Sequence, residues 1–507
     1  MKQFWGERYG DVFYLLDIIR ELPAMRCLRR HQNDLAALEW FAHISNSPDT
    51  LALNNQREFP CRLLMAANLL RRLQTDMVEM NGILHGCKYT TIISNNSTKT
   101  KQFFFVLLTP DFKILQMDKN NVYLASKPRY EILDGLRGVA AMLVVAYHLF
   151  ETYYHGAPNQ PINHGYLAVD FFFVLSGFVI GYAYDDRWNK MSTWSFFKRR
   201  LIRLHPMVIF GTLFGAILFY YGDCPDFPLI KETSPWLVLL VMFWCFTMIP
   251  LPNTMDIRGW AETNPLNGPA WSLQWEYVAN VLYALVIRRL GKVALGICVI
   301  LFAALTVMLC LNIDLFGFLE IRNWASYTVV GGWSTTPDQL QVGLTRLLYP
   351  FFCGLLLSRM QWLIKVRGGF WWCSLLILVL LCMPWMGQDV MGEGRWTNGL
   401  YEMLCILIAF PLIVSIGAGS SVIGGKSQAI NKFLGEISYP IYITHYPLIY
   451  MQMSWARSHA DAPLAQHIFV AISIFVLSIL VAYAAYRLYD LPVREWLKKK
   501  IFKPAAK

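Results

Sequence analysis

Arg137 and His148 stand eleven residues apart in the stretch Leu133–His148, whose one other charged residue is Asp134. At ~3.6 residues per turn this is close to three turns, so both side chains lie on one helix face, roughly 16 Å apart along the axis. A histidine near its unperturbed pKa can take a proton from a hydroxyl, and a guanidinium can hold an anion. A lone histidine in an apolar helix also reads as a satisfied core residue; the face shared with Arg137 favours chemistry. Asp134 precedes Arg137 by three positions, a helix-neighbour spacing suited to an ion pair. A purely interfacial pair is an equal reading of those two residues.

Four further groups have types suited to a site. Asp170, in Gly165–Phe178, enters its helix at about the depth of His148 and could set the imidazole tautomer; it also reads as an interface acid facing water. Glu276, in Trp271–Tyr277, is followed by Asn280 and Tyr283 on the same face and is expected at an outer depth comparable to His148, as the carboxylate that orients it. Arg199 and Arg203 are spaced i, i+4 in Phe196–Pro206, and two guanidiniums on one face suit phosphate bidentately. Basic clusters at cytoplasmic helix ends also orient membrane proteins and bind anionic lipid, which on spacing alone is the stronger reading. Ser438, Tyr442 and His445 form a polar stripe that can equally serve hydrogen bonding between helices.

The elements that must position these groups are membrane helices. Hydrophobic residues make up 55% of the 507 and charged residues 16%, against about 25% charged in an average soluble protein. Mean hydropathy is +0.37. Disorder, fibres and disulfide scaffolds are excluded. The formal net charge of +11 suggests nucleic acid until the basic residues are located, because they gather at the ends of apolar runs. No cysteine or histidine cluster has metal-ligand spacing, so no metal is expected. Runs near the ~20-residue spanning length recur at 133–154, 166–184, 206–221, 237–250, 272–290, 293–312, 346–364, 370–386, 399–417, 438–453 and 467–488. If 237–250 crosses, the Arg288, Arg289, Lys292 cluster falls outside, against the positive-inside tendency. If it dips and returns, every major basic cluster lies inside. The expected fold class is therefore all-α, a polytopic membrane protein with ten crossings plus one re-entrant segment and both termini cytoplasmic.

Residues 1–126 contain charged, helical-looking stretches, no spanning run and no motif. They read as a cytoplasmic extension of unknown role or as an upstream stretch included by start-site choice, Met117 being a natural start; the second reading is preferred. Residues 127–500 form the membrane domain and 501–507 a cytoplasmic tail.

Taken in order, Leu133–His148, Gly165–Phe178, Phe196–Pro206, Trp271–Glu276 and Leu434–Pro447 resemble the membrane-bound acyltransferase-3 family, which includes bacterial O-antigen and exopolysaccharide O-acetyltransferases. The likeness covers about residues 128–495; no single block is decisive, while the ordered set is specific. It implies a ten-helix fold in the bacterial inner membrane and an acyl-coenzyme A donor, acetyl-CoA above all. It implies transfer from the cytoplasm to a glycan or lipid-linked sugar acceptor outside. By position, His148 matches the family's essential histidine, Arg137 the arginine before it, and Arg199 and Arg203 the RxxxR motif thought to engage the donor. That match reverses the preference for lipid at those arginines.

The expected chemistry is acyl transfer to a hydroxyl, with His148 as base, Glu276 or Asp170 orienting it, and Arg199, Arg203 and Arg137 holding donor phosphates. Direct transfer and an acyl-enzyme on His148 both stay open. Expected partners are the donor, the acceptor and membrane lipid but no nucleic acid; a homodimer is left open. The alternative is a transporter or flippase that uses the same His, Arg and Glu residues as a relay.

Overall fold

A computed structural model describes residues 127–154, 159–315, 317, 325–386, 396–422 and 424–502. The expectations for residues 1–126 and for the end of the tail lie outside them. The described residues form helices and irregular connections, with no strand among them. In chain order the helices are α1 (Glu131–Glu151), α2 (Ala168–Tyr184), α3 (Thr193–Ile217), α4 (Pro235–Phe246), α5 (Ala270–Leu285), α6 (Lys292–Cys310) and α7 (Pro337–Met360). There follow α8 (Gly369–Cys382), α9 (Trp396–Leu404), α10 (Phe410–Gly419), α11 (Gly425–Thr444), α12 (Tyr446–Ser458), α13 (Leu464–Ala484) and α14 (Leu491–Ile501).

Among the described residues, seven helical stretches are long and apolar enough to cross a bilayer: α1, Gly165–Tyr184, α3, α6, α7, Trp396–Gly419 and Leu464–Ile501. Two shorter apolar helices, α4 and α8, accompany them. The bounds differ from the hydropathy pattern where capping and proline act. Helix α3 starts at Thr193, ahead of the expected run at 206, because the Ser192 hydroxyl accepts from the Ser195 N–H at 3.1 Å and caps it. The arginines of Phe196–Pro206 thus stand on the body of a helix instead of in a loop. The run at 438–453 is divided between α11 and α12. Pro447 has no N–H for the Ile443 carbonyl four residues back; Asn267 donates to that carbonyl at 2.8 Å in its place.

Two close helix contacts set the frame. Helices α1 and α11 run side by side in the same direction: Gly135 faces Asn431, Gly138 faces Leu434 and, further along both, His148 reaches His445, while Arg137 reaches across to Ser438. A Cβ on Gly138 would overlap the Leu434 backbone. Helices α2 and α7 meet through Gly177 and Gly354, each against the other's backbone, where a Cβ would overlap the carbonyls of Phe351 and Val174. Small residues permit such approach in an apolar body, where packing and hydrogen bonds drive association. Gly138→Val and Gly177→Val are expected to cost about 1–3 kcal/mol or more by overpacking, seen as a lower unfolding midpoint in detergent. Gly291→Ala, whose Cβ meets nothing within 4 Å, leaves the midpoint unchanged.

Candidate active site

One cluster of polar groups lies at each end of the α1–α11 pair. At the first, Arg137 donates from Nη2 to Asp134 Oδ1 and from Nε to Ser438 Oγ, both at 2.9 Å. Across from it, on α3, Arg200 pairs with Glu276 of α5 at 2.7 Å and donates to Asn280 Oδ1 at 2.6 Å. Glu276 also accepts from the Ser176 hydroxyl of α2 at 2.6 Å. One turn along α3 from Arg199, Arg203 lies 6.0 Å from the Tyr439 ring centre and has no ion-pair partner among the described residues. Arg137 and Arg494 add positive charge around it, and Asp490 and Asp134 negative charge. Arg199 stacks on Phe502, 4.1 Å from the ring centre. Guanidiniums thus converge from α1, α3 and α14 with fewer carboxylates between them, a built preference for an anion.

At the other end, His148 Nδ1 lies 2.7 Å from Glu151 Oε2. A carboxylate there accepts, so Nδ1 carries the proton and Nε2 keeps its lone pair. The His148 ring is packed edge-on by Tyr147 and Tyr446, at 4.9 and 4.7 Å between centres, and lies 5.5 Å from the ring of His445. His445 donates from Nδ1 to the backbone carbonyls of Ile441 and Tyr442, and its buried Nε2 has no hydrogen-bond partner among the described residues. Behind Tyr446, the Tyr450 hydroxyl donates to Glu262 at 2.9 Å. Glu262 belongs to the irregular segment 247–269, and burial pushes its carboxyl up to about 7.

The structure brings Arg137 and Ser438 together, and His148 and His445, so the stripe on α11 lies along the polar face of α1. It separates other expected partners. Glu276 bonds to Arg200 and Ser176, with Arg137 close enough to act on its charge, and so belongs to the arginine end. The reason is the start of α5. The connection Thr263–Asn267 is buried in the bundle, Asn267 bonded beside His445, so Glu276 enters about 9 Å deeper than the start of α5. Asp170 is not beside His148 either. It forms a two-pronged, fully buried pair with Arg346 of α7, at 2.7 and 3.2 Å, and Arg346 also donates to the carbonyls of Tyr166 and Gly331. Glu151 is the carboxylate missed at the sequence level, although its i+3 spacing from His148 was visible there. Nothing along the chain announces Arg346, 176 residues from Asp170.

A family model described as an acyltransferase domain, acyltransferase 3, matches residues 130–487. The chain belongs to the acyltransferase-3 family. It is 32% identical over 166 residues to "Protein 2 in picA locus" of Rhizobium radiobacter, covering 31% of this chain and 81% of that one. It is 25% identical over 410 residues to the O-acetyltransferase OatA of Staphylococcus aureus, covering 78% of this chain; the match spans 61% of that relative's length. The acyltransferase MdmB of Streptomyces mycarofaciens is 26% identical over 351 residues, 63% of this chain and 79% of the relative. No solved structure matches. Family membership decides between the acyltransferase and the transporter readings in favour of an enzyme.

Because a half-broken buried pair leaves a bare charge, Arg346→Met is expected to cost about 3–5 kcal/mol. Adding Asp170→Leu recovers much of that. Unfolding midpoints of the two variants in detergent provide the comparison, and a double variant no better than the single one counts against a structural pair.

Proposed function

We propose that the chain transfers an acyl group, acetyl above all, from acyl-coenzyme A to the hydroxyl of a glycan or lipid-linked sugar. The observation that carries this reading is the placement of two unlike sites on one helix face. An excess of guanidiniums lies around Arg137, and a carboxylate-bonded histidine lies about 16 Å away along α1. The acyltransferase and O-acetyltransferase names of the relatives support it.

Arg199, Arg203 and Arg137 would hold the donor's phosphates as planar, bidentate donors, and Glu276 holds Arg200 within that group. His148 Nε2 takes the proton of the acceptor hydroxyl while Glu151 keeps the ring in the required tautomer and steadies the imidazolium. The acceptor oxygen then bonds to the acyl carbonyl carbon, the carbon–sulfur bond breaks, and His148 returns the proton to the departing thiolate. General base catalysis of this kind contributes about 10²–10⁴-fold.

The topology proposed with this mechanism has ten crossings in the bacterial inner membrane, both termini in the cytoplasm and Pro235–Phe246 re-entrant. Twelve helical residues rise about 18 Å, short of the ~30 Å hydrocarbon core, which supports the re-entrant reading. Cysteines at 288–292 are expected to react only with reagents that enter the cytoplasm; labelling from outside would refute it.

His148→Ala is expected to lower acetyl transfer by about 10²-fold or more, followed with labelled acetyl-CoA and purified protein. Full activity in that variant would remove the reading. Arg199→Ala with Arg203→Ala raises the KM for acetyl-CoA, and an unchanged KM would remove the donor assignment.

A further inference from the structure

A cavity of about 290 Å³ lies beside the histidine end, lined by Glu151, Thr152, Asp226, Trp260 and Arg457 among others. It is assembled from distant segments: the last residues of α1, the connection after α3, the irregular segment before α5, and the last turn of α12. Glu151 belongs to both places, because the carboxylate that lines the cavity holds His148 Nδ1 at 2.7 Å. A molecule seated there therefore stands beside the carboxylate that holds His148.

The chemistry of the walls specifies that molecule. Asp226 and Arg457 are paired at 2.7 Å and each remains about a third exposed, leaving oxygen and N–H positions turned toward the space. Trp260 donates its indole N–H to the Asp226 carbonyl at 2.7 Å, which fixes the ring, and 38% of the residue is open. A carboxylate accepts from hydroxyls and a guanidinium donates to them, while an open indole offers a flat apolar face to carbon-bound hydrogens. The wall carries two carboxylates and one guanidinium, which disfavours an anion, and these hydrogen-bonding groups beside an open indole fit a polyhydroxyl ring. The volume, at the lower end of the ~300–1,000 Å³ of ligand sites, suits one ring.

We propose that this cavity is the acceptor subsite and takes a single pyranose ring, stacked on Trp260 and held by Asp226 and Arg457, beside the carboxylate that holds His148. The assignment rests on the acyl-transfer reading above and adds to it where the acceptor binds and what selects it.

The test uses the purified full chain in detergent with labelled acetyl-CoA, and methyl α-glucopyranoside and cyclohexylmethanol as acceptors. The pyranoside is expected to be acetylated, and the cyclohexyl alcohol less efficiently by about tenfold or more, since a site built for hydroxyls rejects a ring that lacks them. Trp260→Ala, Asp226→Asn and Arg457→Gln should each raise the KM for the pyranoside by about tenfold, with the KM for acetyl-CoA unchanged, the split that marks a lost ground-state contact to one substrate. Trp260→Tyr should restore most of the loss, which separates stacking from misfolding. An unchanged pyranoside KM in all three variants would overturn the subsite. Equal use of the two alcohols by the wild type would overturn the sugar assignment. If His148→Ala transfers as well as the wild type, the acyl-transfer reading fails and the subsite falls with it. If His148→Ala is inactive while the cavity variants keep the wild-type KM, the subsite alone fails.

Discussion

Charge inside an apolar body is tolerated where it is paired, and the bundle is arranged around that constraint. Burying an isolated charge is costly enough that each carboxylate or guanidinium in a membrane segment needs a partner, water or a cavity. Asp170 and Arg346 meet this requirement most completely. Both are buried, the contact is two-pronged, and the remaining N–H groups of Arg346 reach the carbonyls of Tyr166 and Gly331. Satisfying that arginine holds α2, the turn before it, α7 and the connection leading into α7 in one register, with the Trp271 ring of α5 5.3 Å from the guanidinium. The Gly177–Gly354 crossing brings the two backbones close enough for the pair to form. Neither contact works at another helix separation.

The same requirement sorts the polar residues into two sites. Around Arg200, Glu276 neutralises one guanidinium and Asn280 accepts from it, while Arg203, Arg137 and Arg494 share the two carboxylates of Asp134 and Asp490. That surplus is unfavourable in the empty protein and becomes favourable when an anion arrives. Around His148 the balance is different: the Glu151 carboxylate on the ring, Glu262 behind Tyr446, two imidazoles and a group of tyrosines, suited to moving protons and not to holding phosphate. The α1–α11 contact joins the two sites, since the glycines that let these helices touch also align Arg137 with Ser438 and His148 with His445. The helix break at His445–Pro447 belongs to this arrangement. It frees the Ile443 carbonyl, which draws Asn267 into the bundle and lowers the start of α5.

The sequence by itself determined the membrane class, the family and the residues of the working face. Those follow from composition, from ~3.6-residue spacing within one helix, and from motif blocks in order; all are properties of neighbours along the chain. Arg137 and His148 on one face of α1 needed nothing more, and the Glu151 contact was available from the same rule at i+3. The tertiary structure alone decided which acid serves which base. Glu276 and Asp170 were assigned to His148 by their distance from apparent helix ends. That measure failed where a buried connection displaced α5, and where a partner stood 176 residues away on α7. Spacing along a helix sets the face a residue occupies. The depth of that helix and its rotation against its neighbours come from close glycine contacts, proline breaks and the pairing of charges, which exist only once the helices have packed.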